Sequence, residues 1–187
     1  SKKSRVAMIF EYSDHFFELN AKTLSWWRGK KLFIHDNISQ TDIPFTFNFN
    51  WPKSCQLRDP MKMIYTGGIR CKRNLPANTE NHAPTDETKD FSKETYILDL
   101  TSGKIERKAD MIIKRQGHGI VRVGDKVYCA GGLDGTIVIN QSLEIYDISS
   151  NSWDFGPELC MRKFSMTMVN IRDRYIYSFG GMSPDLQ

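Results

Sequence analysis

Apolar positions in this chain come in short runs. Val, Ile, Tyr and Phe gather in brief stretches bounded by Gly, Asp, Asn and Ser. No long run places apolar residues at i, i+3, i+4 and i+7, so the pattern predicts many short strands and little helix. The runs also repeat. The cleanest unit starts at Val127-Tyr128-Cys129-Ala130 and ends in Gly131-Gly132. A polar loop follows, then Leu143 to Ile148 around Tyr146, then Trp153, then Arg162-Lys163-Phe164-Ser165 leading into Met166 to Val169. The next run, Tyr175 to Phe179, again ends in two glycines, Gly180-Gly181.

An upstream copy fits the same template. Met63 to Thr66 runs into Gly67-Gly68, Leu98 stands where Tyr146 does, Ile105 where Trp153 does, and Arg115 to His118 matches Arg162 to Ser165. A partial third copy lies near the start, where Leu19 and Trp26 keep the seven-residue separation of Tyr146 and Trp153. An apolar strand ending in Gly-Gly, then a Tyr, then a Trp, at a period near 50 residues, resembles the kelch repeat.

The resemblance covers nearly the whole chain and implies an all-β, kelch-type β-propeller. Three to four four-stranded blades are expected, forming part of a larger closed propeller, with approximate units 1–26, 27–105, 106–153 and 154–187. Further blades would come from the same or another chain, since a closed ring needs at least about four. Each blade needs its neighbours to cover its apolar faces. Within it, the strand before the double glycine is second from the axis, the Tyr strand third and the Trp strand fourth. The innermost strands are read at Gly117 to Val123 and Ser165 to Ile171, and Phe45-Thr46-Phe47-Asn48-Phe49 alternates as another. Glycines 67, 68, 131, 132, 180 and 181 are expected to be structural, as are Tyr146, Trp153 and Trp26. His118 and Ser165 are read as equivalent loop-stabilising positions.

Composition narrows the function. Hydrophobic residues make up 40% of the chain and charged ones 26%, the profile of a globular protein. No apolar stretch approaches the roughly 20 residues that span a bilayer. The net charge of +4 is mild and the basic residues are dispersed, which argues against nucleic acid as partner. Cys55, Cys71, Cys129 and Cys160 form no CxxC pair, and the four histidines occupy unrelated repeat positions, so no metal site and no cofactor are predicted. Free thiols favour a cytoplasmic location, with a cytoskeletal association open. No P-loop or nucleophile elbow is present, so the chain reads as a non-catalytic protein-binding scaffold. The alternatives are a structural subunit of a large assembly or a kelch-like enzyme such as a copper oxidase.

Extra length marks where binding is expected. Thirty positions separate Gly68 from Leu98, against fourteen from Gly132 to Tyr146, and forty-one separate Trp26 from Gly67, against twenty-seven from Trp153 to Gly180. Both insertions, roughly 69–94 and 27–60, fall in loops that leave a blade on one face, and repeat proteins tend to bind on the face carrying such insertions. The candidate contacts with a partner protein are Trp27, Arg28, Arg70 and Arg73 there, with Arg115 and Arg162 at the channel mouth. Kelch-like proteins use that region for acidic or hydroxylated segments, and the resemblance extends the expectation to these two arginines.

Overall fold

A computed structural model describes residues 5–9, 15–20, 25–36, 40–45, 49–50, 52–70, 90–136 and 138–185; for 5–29, 36 and 49–50 the backbone alone is described. All regular structure among them is strand. The first sheet holds β1 (Arg5–Ile9), β2 (His15–Asn20) and β3 (Ser25–Lys31), and a hairpin of β4 (Phe33–Asp36) and β5 (Thr41–Pro44) follows. Then come β6 (Phe49–Asn50), β7 (Lys53–Gln56), β8 (Lys62–Thr66), β9 (Ile69–Arg70), β10 (Asp90–Phe91), β11 (Thr95–Asp99) and β12 (Ile105–Lys108). The last six are β13 (Gly119–Val123), β14 (Lys126–Ala130), β15 (Leu143–Asp147), β16 (Ser152–Phe155), β17 (Thr167–Ile171) and β18 (Tyr175–Phe179).

Two four-stranded antiparallel sheets have the predicted blade order from the axis outwards, β7-β8-β11-β12 and β13-β14-β15-β16. The hairpin β17-β18 repeats the inner half of that arrangement. Register is the same in all three copies: Leu19 lies opposite Trp26, Leu98 opposite Ile105 and Tyr146 opposite Trp153.

One expected strand is displaced. The inner strand of the second sheet is Lys53–Gln56, which pairs with β8. Phe49 and Asn50 at the end of the aromatic stretch instead pair with Arg70 and Ile69 of β9. The reason lies in burial. Phe45 is half-buried and its ring is 5.4 Å from that of Tyr96, so the start of the aromatic stretch packs on a face of the second sheet and does not line the axis; residues 46–48 lie outside the described residues. The true inner strand is inconspicuous because Cys55 is its single apolar residue.

The seam between the two complete sheets is the main core. Ile64 and Ile97 of one sheet pack with Val127, Cys129, Tyr146 and Trp153 of the other, and Met111 and Leu57 close the ends. Tyr146 is fully buried and its ring centroid is 5.0 Å from that of Trp153. Each such aromatic removes about 150–250 Å² from water, worth at most about 4–6 kcal/mol at roughly 25 cal/mol/Å². A second cluster, Leu32, Tyr65, Tyr96, Leu98 and Ile105, covers the opposite face of the earlier sheet. Strand alternation explains the division: Ile64 points into the first cluster, its neighbour Tyr65 into the second.

Candidate interaction surface

The double glycines are contact points between blades. Gly67 and Gly131 have φ of +62° and +64°, a region L side chains resist. A Cβ on Gly67 would strike the Arg115 carbonyl, and one on Gly131 the Lys163 carbonyl. The next glycine in each pair donates its N–H to those same carbonyls, Gly68 to Arg115 and Gly132 to Lys163, both at 2.8 Å. The double glycine therefore receives the entrance of the following inner strand.

These contacts correct the alignment read from sequence. Arg115 is equivalent to Lys163, not to Arg162. Likewise Gly117 is equivalent to Ser165, and both have positive φ, 65° and 56°. His118 then corresponds to Met166, and both are buried. The sequence match was one residue out of step because it aligned the two arginines.

Arg115 is also corrected as a surface contact. Its side chain is completely buried. The guanidinium donates to Glu144 Oε1 from Nε at 3.1 Å and Nη2 at 2.9 Å, and to the Gly131 carbonyl at 2.6 Å. It also donates to the carbonyl of Ser142 at 3.2 Å and the hydroxyl at 2.5 Å. Glu144, equally buried, accepts from the N–H groups of Ile112 at 2.5 Å and Ile113 at 3.0 Å. The pair fastens the connection arriving from β12 onto the sheet that follows. Two further bonds complete the fastening: Trp153 Nε1 donates to the Ala109 carbonyl at 2.9 Å, and Asn151 Oδ1 accepts from Ala109 N–H at 3.0 Å and from the Tyr146 hydroxyl at 2.7 Å.

Sequence reasoning passed over Glu144. Its position two residues before Tyr146 was the available signal, since alternate strand residues share a face and a carboxylate there must be matched. His118 lies in the same seam, with Nε2 2.8 Å from Thr66 Oγ1. Burial, helped by the charges of Arg115 and Lys53, holds its pKa down to about 3, so the ring is neutral. Burial likewise pushes the Cys55 thiol up to about 12, and that of Cys129 higher still. Neither is poised as a nucleophile.

Arg162 is exposed and forms an ion pair with Asp185, Nη2 to Oδ1 at 2.5 Å. Arg70 is 48% exposed and engages the buried Glu94, which also accepts from Tyr96 at 3.2 Å and faces Arg107 at 3.3 Å. The side chains of Trp26, Trp27 and Arg28 lie outside the described residues, as does the whole of Arg73. The roots of the two insertions meet: Phe49 and Asp90 both pair with Arg70, forming the three-stranded sheet β10-β9-β6. That sheet stands at the double-glycine end of its blade, where Ser92 N–H donates to the Gly68 carbonyl.

The Kelch motif is the family description that matches this sequence, over residues 114–159. That span runs from the buried Arg115 past Trp153. Residues 114–159 thus carry a kelch motif. It is 29% identical to alpha-scruin of Limulus polyphemus over 92 residues, 49% of the chain and 10% of that protein. It is 31% identical over 90 residues to the N-(sulfonatooxy)prop-2-enimidothioate sulfolyase of Thlaspi arvense, 45% of the chain and 26% of the enzyme. Kelch-like protein 8 of Mus musculus is 34% identical over 55 residues, 29% of the chain and 9% of that protein. The chain therefore matches about a quarter or less of the length of these relatives. Among its described residues no helix is long and apolar enough to cross a membrane.

Proposed function

We propose that this kelch chain is a protein-interaction scaffold of the cytoplasm that holds a partner on its insertion-bearing face. The observation that carries the reading is the union of the two insertions at one site. Loops of unrelated origin are joined through β10-β9-β6, which gives the longer segment 71–89 a fixed base beside the exposed Arg70. Arg162 belongs to a connection leaving on the same side, and Trp27, Arg28 and Arg73 are the remaining contact candidates. Arginine and tryptophan suit this role because they anchor interfaces out of proportion to their number. The motif residues Gly67, Gly131, Tyr146 and Trp153 are themselves consumed in joining blades and are not offered to the partner.

The test is partner capture with the parent chain, with a variant in which 71–89 is replaced by a short Gly-Ser linker, and with Arg70→Glu. A set of proteins retained by the parent and lost by both variants, at unchanged circular dichroism, supports the reading. Retention of the same set by both variants overturns it.

The similarity to the Thlaspi arvense enzyme favours a second, catalytic reading, since that match extends over 45% of the chain. Incubation with N-(sulfonatooxy)prop-2-enimidothioate tests it. Consumption above the buffer rate that is abolished by heat denaturation would establish it, and a rate equal to buffer would dismiss sulfolyase activity.

A further inference from the structure

The opposite end of the blades carries a second charged surface. The turns of three successive inner hairpins, β7-β8, β13-β14 and β17-β18, lie side by side there and are tied in series. Arg58 donates to Asp125 at 3.3 Å, Gly124 N–H donates to Asp173 Oδ1 at 2.8 Å, and Asn170 donates to the Arg122 carbonyl at 2.8 Å. The Arg172-Asp173 turn has φ of 57° and 52°, the twist that suits a tight two-residue hairpin. Both residues thereby stand at its tip.

Charge on these turns is uneven. Arg58, Arg122, Lys126, Arg172 and Arg174 supply five cations against the carboxylates of Asp59, Asp125 and Asp173 and that of Asp147, which lies 3.8 Å from Lys126 at the adjoining turn. This leaves an excess of one positive charge on a small area. Arg58 is 76% exposed and Lys126 52%, and Arg172 and Arg174 are exposed as well. Arg174 lies over the Tyr175 ring at 5.3 Å, which holds its guanidinium at the surface with an aromatic beside it.

We propose that this hairpin-turn surface is a second binding site of the chain and takes an acidic, extended protein segment. The cations attract carboxylates, and the interspersed aspartates decide against a nucleic acid. A phosphate backbone laid across the three turns would meet Asp59, Asp125 and Asp173 in succession. A peptide has amide N–H groups to offer those carboxylates between its own acidic side chains. With the insertions on the other face, such a chain would bridge two proteins.

The experiment uses the 187-residue chain and fluorescence anisotropy of a fluorescein-labelled peptide of alternating glutamate and serine, with a labelled oligothymidylate as the competing probe. The expected result is saturable peptide binding that disappears in about 1 M salt, where the Debye length is about 3 Å. It should weaken at least about tenfold in Arg58→Glu/Lys126→Glu and in Arg172→Glu/Arg174→Glu. Lys93→Glu/Lys114→Glu, at the far end of the blades, should bind as the parent does. Two pairs of exposed residues are used so that misfolding of one, monitored by circular dichroism, leaves the other to decide. Tighter binding of the oligothymidylate, equal binding by all three variants, or no peptide binding at low salt overturns the proposal.

Discussion

Removing the Arg115 side chain turns a presumed contact residue into a test of how the blades are joined. Arg115→Ala would strand the Glu144 carboxylate, with no cation beside it at full burial, and would deprive the carbonyls of Gly131 and Ser142 of their donor. Breaking a buried ion pair by deleting one partner costs about 3–5 kcal/mol. For a chain of this size each kcal/mol lowers the melting temperature by roughly 2–4 °C, so a fall of about 6–20 °C is expected. Replacing both partners, as Arg115→Met with Glu144→Leu, should cost less than Arg115→Ala alone, because no uncompensated charge remains. The assay is thermal or urea unfolding followed by far-ultraviolet circular dichroism, with Arg162→Ala as the comparison. Arg162 meets Asp185 in solvent, where ion pairs contribute little, so its midpoint should stay near the parent. If Arg115→Ala and Arg162→Ala melted together, the pair would not be holding the seam. If the double variant fell furthest, the argument from an uncompensated charge would fail.

Three further outcomes follow from the contacts between successive blades. Gly131→Ala forces a left-handed conformation that costs an L residue about 1–2 kcal/mol and drives a Cβ into the Lys163 carbonyl; its urea midpoint should drop well below that of Gly124→Ala, whose Cβ meets nothing within 4 Å. Trp153→Phe keeps an aromatic ring but loses the indole donor to Ala109 and part of the buried ring surface, and a loss of at least about 1 kcal/mol in urea unfolding is expected. His118 gives a pH signature. Its folded pKa, about 3, lies below the ordinary 6.5, so the unfolded chain takes up the proton first. Its contribution is therefore fully present above about pH 6.5 and declines as pH falls from there towards 3. The urea midpoint of His118→Gln, measured between pH 7 and 5, should fall less steeply than the parent's, and parallel curves would refute this.

The repeat was legible because its chemistry is local. Each blade needs two glycines that allow close backbone approach, an apolar second strand and an aromatic pair at fixed separation, and all of these can be counted along the chain. Tyr146 facing Trp153 in the seam is what the spacing implied. Matching residue types without structure also produced the one-step slip. Arg162 resembles Arg115 in kind, yet it is Lys163 whose carbonyl receives the glycine N–H. The backbone contact defines the equivalent position, and a carbonyl carries no mark in the sequence.

What stayed hidden depends on partners distant in the chain. Lys53–Gln56 shows little apolar character, yet forms an inner strand because β8 pairs with it on one side and β13 of the next blade packs nearby. Glu144 reads as an ordinary strand carboxylate until Arg115 and the amides of Ile112 and Ile113 converge on it. The two insertions appear as separate digressions until β6 is seen beside β9. A buried charge and a paired edge are both satisfied from outside their own segment, so their meaning lies in the pairing. The same reasoning separates the two sets of arginines. One that finds its carboxylate within the seam, as Arg115 does, holds the repeat together. Those exposed on the hairpin turns, such as Arg172 and Arg174, are the ones a partner can reach.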